Sequence, residues 1–466
     1  MRLVLIIIGL ASIGSIGAQV TGVLSFDDYM DRVREHHPVT YQADLLSDMA
    51  ASTKRIARGG FDPKIEGSFD HKSFNETNYY ALSQGALKVP TWYGVDLKAG
   101  YDRSSGQYFN NSDFLPSRGL WNLGISVPLG KGFVIDERRA ALQRADIYRN
   151  ETDQERIIMV NQVLYDAATN YLNWQVAWEF YQIALEGQEL ATLRFEGTKV
   201  SYQNGDVPAI DTLESFISLQ SRQLDFQKAV QDLENTVLGL NNFLWEDGVI
   251  PLEVDRSTRP SPMEMDMMSR SVDSLSLVQD IWLVTHPELL LYDYKIDNLN
   301  LDQRLAREEL KPDLRVQYNP LVAVAEDALF DQFSSNNFKL GVNLSYPILQ
   351  RKERGKIALN DLKIRDTEFE RTLKNQDLSV KLDTYRNNIN QTQDQLTLIV
   401  ATVENYNRML IAENRKFQIG ESSIFLVNTR ENKYLESRYK RVDASRKLLL
   451  NRMIYLLFSG QLGEVI

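Results

Sequence analysis

Hydrophobic residues follow two different periods along this chain, and each period occurs in both halves. In two long stretches without proline, 132–203 and 352–418, apolar residues recur at alternating steps of four and three. Such steps form the seam of a coiled coil, and about 70 residues at roughly 1.5 Å each make a helix on the order of 100 Å long. The seam positions are Val160, Leu164, Ala167, Tyr171, Trp174, Trp178, Tyr181 and Leu185, and then Leu378, Leu382, Tyr385, Ile389, Thr392, Leu396, Ile399, Val403, Tyr406 and Leu410. The pattern predicts two helices far longer than a globular core requires.

Five shorter runs alternate polar and apolar residues with period two, which is typical of strands that show different faces to different surroundings. The runs are 64–71, 94–102, 120–127, 314–318 and 340–346. Aromatic residues cluster near their ends, as a membrane-interface girdle requires, at Trp92, Tyr93, Tyr101, Tyr108, Phe109, Trp121 and Tyr346. A half-buried sheet of a water-soluble protein would alternate in the same way. The girdle, together with the amino-terminal sequence, favours membrane strands.

The helical and strand patterns follow one order, which the chain repeats. His37-Pro38 recurs as His286-Pro287, and Pro63 recurs as Pro312 at the same displacement. Each copy reads helix, strands, long helix, glycine turn, helix, with shorter helices predicted at 25–59, 206–245, 276–309 and 423–459. We therefore expect residues 19–256 to form repeat 1, residues 257–275 a linker, and residues 276–466 repeat 2.

The amino terminus has the pattern of a secretory signal peptide. Arg2 precedes a short apolar run, and small residues follow around Ser15, Gly17 and Ala18. We assign residues 1–18 to the signal peptide, because the run is too short to span a membrane comfortably.

Composition removes several classes of function. The net charge of -11 disfavours nucleic acid as a partner, and the absence of cysteine with only four histidines disfavours thiol chemistry and metal sites. His36 and His37 precede Pro38 and are read as a helix boundary, not as a ligand pair. The 63 acidic residues would supply chance carboxylate pairs for a glycosidase, but they are placed as solvated helix faces. We expect no enzyme activity, no catalytic residues and no cofactor or metal.

The number of strands predicted for one chain implies that the protein is an oligomer. Because helices precede and follow the strands in each repeat, an even number must cross, and two per repeat gives four per chain. The fifth run, 94–102, is assigned to a hairpin that projects outward from repeat 1. Four strands cannot enclose an opening, since about eight are needed just to enclose side chains. Three copies would supply twelve, so a homotrimer is predicted.

Several of these features together resemble the TolC-type outer-membrane efflux family over nearly the whole mature chain. They are Leu24 to Asp28 with His37-Pro38, the turn Val127-Pro128-Leu129 before the long helix, and the turns Tyr202-x-x-Gly205 and Phe417-x-x-Gly420. The resemblance implies an α+β membrane protein whose trimer forms a twelve-stranded outer-membrane β-barrel, continued by a twelve-helix coiled-coil tunnel across the periplasm.

The same resemblance implies a function and partners. The protein would be the passive outer-membrane channel of a tripartite efflux or type I secretion system, in contact with outer-membrane lipid. Its partners would be a periplasmic adaptor (membrane fusion) protein and an inner-membrane pump of the RND or ABC type. A periplasmic coiled-coil adaptor or spacer is the alternative, since the heptads alone would suffice for it.

The resemblance also places a gate at the periplasmic tip, around the two glycine turns. The candidate residues are Gly205, Asp206, Asp211, Gly420, Glu421, Phe425, Leu426 and Thr429. Asp211 matches an aspartate of the family pattern. Leu426 and Thr429 stand where the family has acids, and Ser422 stands where it has a basic residue. We therefore expect Glu421, Phe425 or Leu426 to narrow the mouth in place of an acidic ring.

Overall fold

The computed structural model describes residues 19–20, 22–108, 114–262, 284–324 and 334–465. The predicted signal peptide, most of the predicted linker and the predicted start of repeat 2 lie outside these residues. The chain divides into two compact units. The first takes in the described parts of residues 1–44, 156–287 and 375–466, and the second those of residues 45–155 and 288–374.

Helices account for most of the described residues. They are α1 Phe26–His36, α2 Pro38–Gly59, α3 Glu137–Gln203, α4 Ala209–Asn241, α5 Pro287–Glu308, α6 Arg351–Gln418, α7 Ile424–Phe458 and α8 Leu462–Val465. With 67 and 68 residues, α3 and α6 confirm the two predicted long helices. None of the described helices combines the length and the apolar character that crossing a membrane would need.

One antiparallel sheet dominates the second unit. Its strands are β3 Lys64–Phe74, β4 Thr77–Pro90, β5 Asp96–Ser105, β6 Leu120–Pro128, β11 Asp313–Ala323 and β12 Phe338–Ser345. They lie side by side in chain order, with β3 and β12 at the two margins. Two-residue strands pair elsewhere, in the first unit: β1 Gln19–Val20 with β9 Glu253–Val254, β2 Val23–Leu24 with β10 Arg259–Pro260, and β7 Trp245–Glu246 with β8 Ile250–Pro251.

The sheet corrects the predicted strand number. The described chain contributes six strands to it, not four, because repeat 1 supplies β3 to β6 and repeat 2 supplies β11 and β12. The assignment of 94–102 to a projecting hairpin was wrong, since β5 pairs with β4 and β6 inside the sheet. The prediction missed β4 because Tyr79 to Leu82 form an unbroken apolar run, which hides the period of two.

The core of the first unit confirms the coiled-coil seams. Ser25 caps α1, its hydroxyl accepting a hydrogen bond from the Asp28 amide at 3.0 Å. The buried face of α1 meets the seam of α3, where the Tyr171 hydroxyl donates to the Leu24 carbonyl at 2.7 Å. Buried residues of this cluster come mainly from α1, α3, α6 and α7 and include Tyr29, Val33, Leu164, Ala167, Tyr171, Trp174, Leu382, Ile389, Leu396, Leu449 and Met453.

The two histidine–proline pairs occupy equivalent places. His37 ends α1 and Pro38 begins α2, which confirms the predicted helix boundary. In the other half, Pro287 begins α5, and His286 Nε2 lies 3.1 Å from the Phe458 carbonyl at the end of α7. The His37 side chain forms a hydrogen bond with the backbone of Asn242, directly after α4. Each histidine therefore meets the carboxyl end of the helix that follows the long helix in its own half.

Candidate functional site

One face of the six-stranded sheet is apolar from margin to margin. The strand registers align Ile65, Leu87, Ala99 and Leu123 in one row. Further members of this apolar face are Phe69, Val89, Leu97, Tyr101, Trp121, Ile125, Leu314, Val316, Tyr318, Leu340, Val342 and Leu344. Many are open to the surroundings, for example Ile65 at 88% and Leu344 at 69%. An apolar surface of this extent marks a face that contacts a membrane or another protein.

The opposite face of the sheet is polar. Glu66 and Lys88 form an ion pair at 2.5 Å on it, and the Asn122 amide donates to Asp102 at 2.7 Å. Its other members are Lys64, Ser68, Asp70, Gln84, Lys98, Ser126, Arg315, Gln317, Asn319, Lys339 and Asn343. A sheet with one lipid-compatible face and one wetted face is the pattern of a membrane barrel wall.

Aromatic side chains mark both rims of the sheet. At the helix-side rim, defined as the end where α2, α3, α5 and α6 join the strands, lie Trp92, Tyr93 and Tyr346. Trp92 stacks on Phe61, with ring centroids 4.5 Å apart. Toward the loop-side rim, Tyr101 and Trp121 are in ring contact at 5.1 Å, and Tyr108 follows β5. The predicted girdle thus lies at two levels, except Phe109, which is outside the described residues.

The two glycine turns share one geometry. Gly205 and Gly420 have φ of +84° and +79°, where a side chain would be strained. In both turns the glycine amide donates a hydrogen bond to the carbonyl three residues earlier, which belongs to Tyr202 or Phe417. The amide that follows the glycine donates to the carbonyl five residues before it, which belongs to Ser201 or Lys416. This is the Schellman helix ending, and its repetition supports the equivalence of the two halves.

The predicted tip residues divide into two groups, one at each turn. Asp206 is exposed beside Gly205, and Asp211 is half-buried in the first turn of α4. Among the described residues, no hydrogen bond or ion pair joins these side chains to those at the second turn. There, Phe425 and Leu426 are 60% and 38% exposed. Glu421 is exposed as well, and the Thr429 hydroxyl donates to the Phe425 carbonyl at 2.8 Å.

A buried polar contact near the second turn was not predicted. Arg194 of α3 donates to the Asn428 side chain of α7 at 2.9 Å and forms an ion pair with Glu431. The side chain of Glu431 is 2% exposed and that of Arg194 is 15% exposed. We call these three residues the arginine clasp. The sequence gives only the spacing of Asn428 and Glu431 on one helix face, because their partner is more than 230 residues away.

Two more arginine contacts join the first helix hairpin to α7. Arg222 of α4 donates to Asn432, and Arg438 pairs with Glu186 of α3 at 2.5 Å. Ile183 and Leu435 are buried together in an apolar cluster of the same two helices, α3 and α7.

Within the second hairpin, Glu413 accepts from Ser422 at 2.5 Å and pairs with Arg430 at 3.5 Å. The Ser422 hydrogen bond and the Arg430 charge lower the pKa of Glu413 below its ordinary value. Ser422 thus binds an acid of its own hairpin, at the position where a basic residue was expected.

The described residues contain no group of three or more histidine or acidic side chains arranged to hold a metal ion.

Comparison with known proteins finds relatives by structure. No family model and no curated protein sequence matches the chain. The CmeC outer membrane channel of Campylobacter jejuni aligns with a TM-score of 0.62 at 13% identity, over 93% of this chain and 85% of that one. The outer membrane protein VceC of Vibrio cholerae gives 0.64 at 13% identity, over 94% and 96%. The open-state MtrE outer membrane channel of Neisseria gonorrhoeae gives 0.65 at 13% identity, over 93% and 88%. This chain therefore has the TolC-type outer-membrane channel fold that the sequence resemblance predicted.

Proposed function

We propose that this protein is the outer-membrane channel of a tripartite efflux or type I secretion system. It acts as a passive duct that crosses the outer membrane and extends into the periplasm, while an inner-membrane pump does the work. The observation that carries the proposal is the six-stranded sheet, with an apolar face that needs lipid and a polar face that suits a water-filled lumen.

An oligomer is expected because one open sheet cannot enclose a channel, and the resemblance to the TolC-type family implies that it is a homotrimer. Its barrel would be continued by a tunnel of the long helices. The remaining partners are a periplasmic adaptor protein and an inner-membrane pump of the RND or ABC type. Residues 1–18 would direct export, and the repeat boundaries at 19–256 and 276–466 belong to the same proposal.

The sheet also separates this function from the alternative. A periplasmic adaptor or spacer would use the coiled-coil helices but has no use for a sheet whose apolar face stands open. The solved structures that share the fold are channels, which favours a non-enzymatic role.

The gate is proposed at the tip turns and the arginine clasp. Phe425 and Leu426 offer exposed apolar surface beside the second turn, where they would narrow the mouth or meet the adaptor. The clasp holds α7 against α3, so opening would require its ion pair to part.

Membrane extraction and bilayer recordings test the function. We expect the full-length protein to stay in the outer-membrane fraction through salt and carbonate washes, and to conduct ions in planar bilayers after purification in detergent. Release without detergent, or a purified protein that leaves bilayers silent, would contradict the proposal and favour the adaptor.

A further inference from the structure

The two marginal strands of the sheet each have one side without a strand partner in the part of the chain that the structure describes. β3 pairs with β4 only, and β12 pairs with β11 only. An unpaired strand margin presents a row of backbone donors and acceptors that is a template for another strand.

The β3–β4 hairpin is an integral part of this sheet. β4 pairs with β5 over ten residues, from Pro90 opposite Asp96 to Ala81 opposite Ser105. β3 pairs with β4 over its whole length, and its alternation continues both faces of the sheet. The hairpin therefore extends the wall, and the margin of the wall is β3.

A second copy of the chain fits this margin. β3 leaves the helix-side rim and β12 returns to it, so β12 of one copy beside β3 of another would be antiparallel, like every other pair in the sheet. Leu340 and Leu344 would continue the apolar face of Ile65 and Phe69. Such a head-to-tail contact repeats until a ring closes.

The register of the sheet is staggered as closure requires. One row of neighbours runs through Glu66, Ala86, Gly100, Asn122, Leu321 and Asn337. Glu66 lies two residues from the first residue of β3, whereas Asn337 lies eight residues from the last residue of β12. The row therefore climbs six residues from margin to margin. A barrel needs this shear, because its strands tilt by roughly 35–45°.

We propose that three copies close a barrel of eighteen strands, six from each chain, with β12 of each copy paired to β3 of the next. The inference rests on the proposed homotrimer and replaces the twelve strands predicted from sequence. Because diameter grows about linearly with strand number, the barrel would be about half again as wide as one of twelve strands.

Disulfide trapping tests this closure in the full-length chain, which has no cysteine of its own. The test variant is Glu66→Cys/Asn343→Cys, which places one thiol on each margin at matching heights on the polar face. Within one chain β3 and β12 are five strand spacings, about 24 Å, apart, so a disulfide must join two copies. The matched variant Lys98→Cys/Asn343→Cys would cross-link only in a barrel of twelve strands. In that barrel β3 and β4 lie outside the wall, and β5 is the marginal strand that pairs with β12.

We expect mild oxidation in outer membranes to give covalent dimers and trimers from the Glu66 variant and monomers from the Lys98 variant. Ser68→Cys/Asn343→Cys covers a register shifted by two residues and would support the same closure. Trimers from the Lys98 variant would overturn the eighteen strands while leaving the channel function intact. If the covalent products end at dimers, the trimer is overturned. If none of the variants cross-links and the protein is monomeric, the closure and the proposed function are both overturned.

Discussion

In the proposed channel, alternation along the strands decides which side chains meet lipid and which meet water. Val316 and Gln317 are neighbours in β11, in the interior of the sheet, and are similarly half-exposed, yet they belong to opposite faces. Their pairing is fixed on both sides, by β6 and by β12, so neither can turn over without breaking the register.

Val316→Lys therefore tests the lipid-facing assignment, and Gln317→Lys is its control. A lysine on the lipid face costs about 2–4 kcal/mol near the middle of a membrane, while a lumen substitution is tolerated. We expect the first variant to lose most of its outer-membrane accumulation and the second to keep it, as measured by immunoblots of membrane fractions. Equal accumulation of both variants would mean that the apolar face does not meet lipid.

The arginine clasp gives a second prediction at this scale. Arg194→Ala leaves the Glu431 carboxylate buried without its partner, which costs about 3 kcal/mol. If the clasp holds the mouth closed, this variant should raise single-channel conductance severalfold in planar bilayers. Arg408→Ala is the control, because it removes only an exposed pair with Glu404 on α6 and should change neither conductance nor stability.

An apolar replacement of the pair separates packing from charge. Arg194→Met/Glu431→Leu removes both charges and should restore stability. If the Arg194→Ala variant conducts no better than the parent protein, the gate lies elsewhere.

A buried histidine predicts a pH effect. Burial against Phe243 and Trp245 lowers the pKa of His37 from its ordinary 6.5, although its hydrogen bond with the backbone of Asn242 opposes the shift. Because the folded protein holds the proton less tightly than the unfolded chain, stability should fall as the pH drops through about 6.5 and below. Thermal unfolding in detergent between pH 8 and pH 5 measures this loss. His37→Phe should flatten the profile, and an unchanged slope would assign the effect to other groups.

At the scale of elements, the helices were easier to predict than the strands. Heptad spacing along α3 and α6 identified both long helices, and His37-Pro38 identified a helix boundary, because these signals are local. β4 was missed because Tyr79 to Leu82 are consecutive apolar residues that do not alternate, and its pairing with β3 and β5 makes it a strand. Propensity is a weak guide where partners decide.

The glycine turns allow one chemical change with opposite outcomes. Gly205→Ala forces a side chain into a left-handed conformation and should destabilise the turn by about 1–2 kcal/mol. Gly197→Ala lies inside α3 in open space and should stabilise the helix by about 0.5–1 kcal/mol. Unfolding temperatures in detergent compare the two variants. A stabilising Gly205→Ala would show that the turn at Gly205 is not formed as described.

At the scale of the whole molecule, the two units differ in what they need from their surroundings. The first unit has an apolar cluster to which α1, α3, α6 and α7 of the same chain contribute most of the buried side chains. The sheet of the second unit has an apolar face without such cover, on which Leu340, Val342 and Leu344 are each more than half exposed.

Refolding should reveal this difference. From denaturant into buffer, we expect helical circular dichroism to return while the protein aggregates, because the apolar face has no partner in water. Refolding into detergent micelles should give a dispersed oligomer with added strand signal, measured by circular dichroism and sedimentation. A soluble monomer in plain buffer would contradict the membrane assignment of the sheet.

The amino-acid sequence by itself determined the repeated order of elements, the two long helices, the glycine turns and the two-faced character of the strands. Each of these depends on residues within a few positions of one another, where period and backbone preference act. The tertiary structure decided that six strands share one sheet and that Arg194 meets Glu431, more than 230 residues away. Those features depend on which distant segments come into contact, and the local pattern of one segment does not indicate which other segment it will pack against.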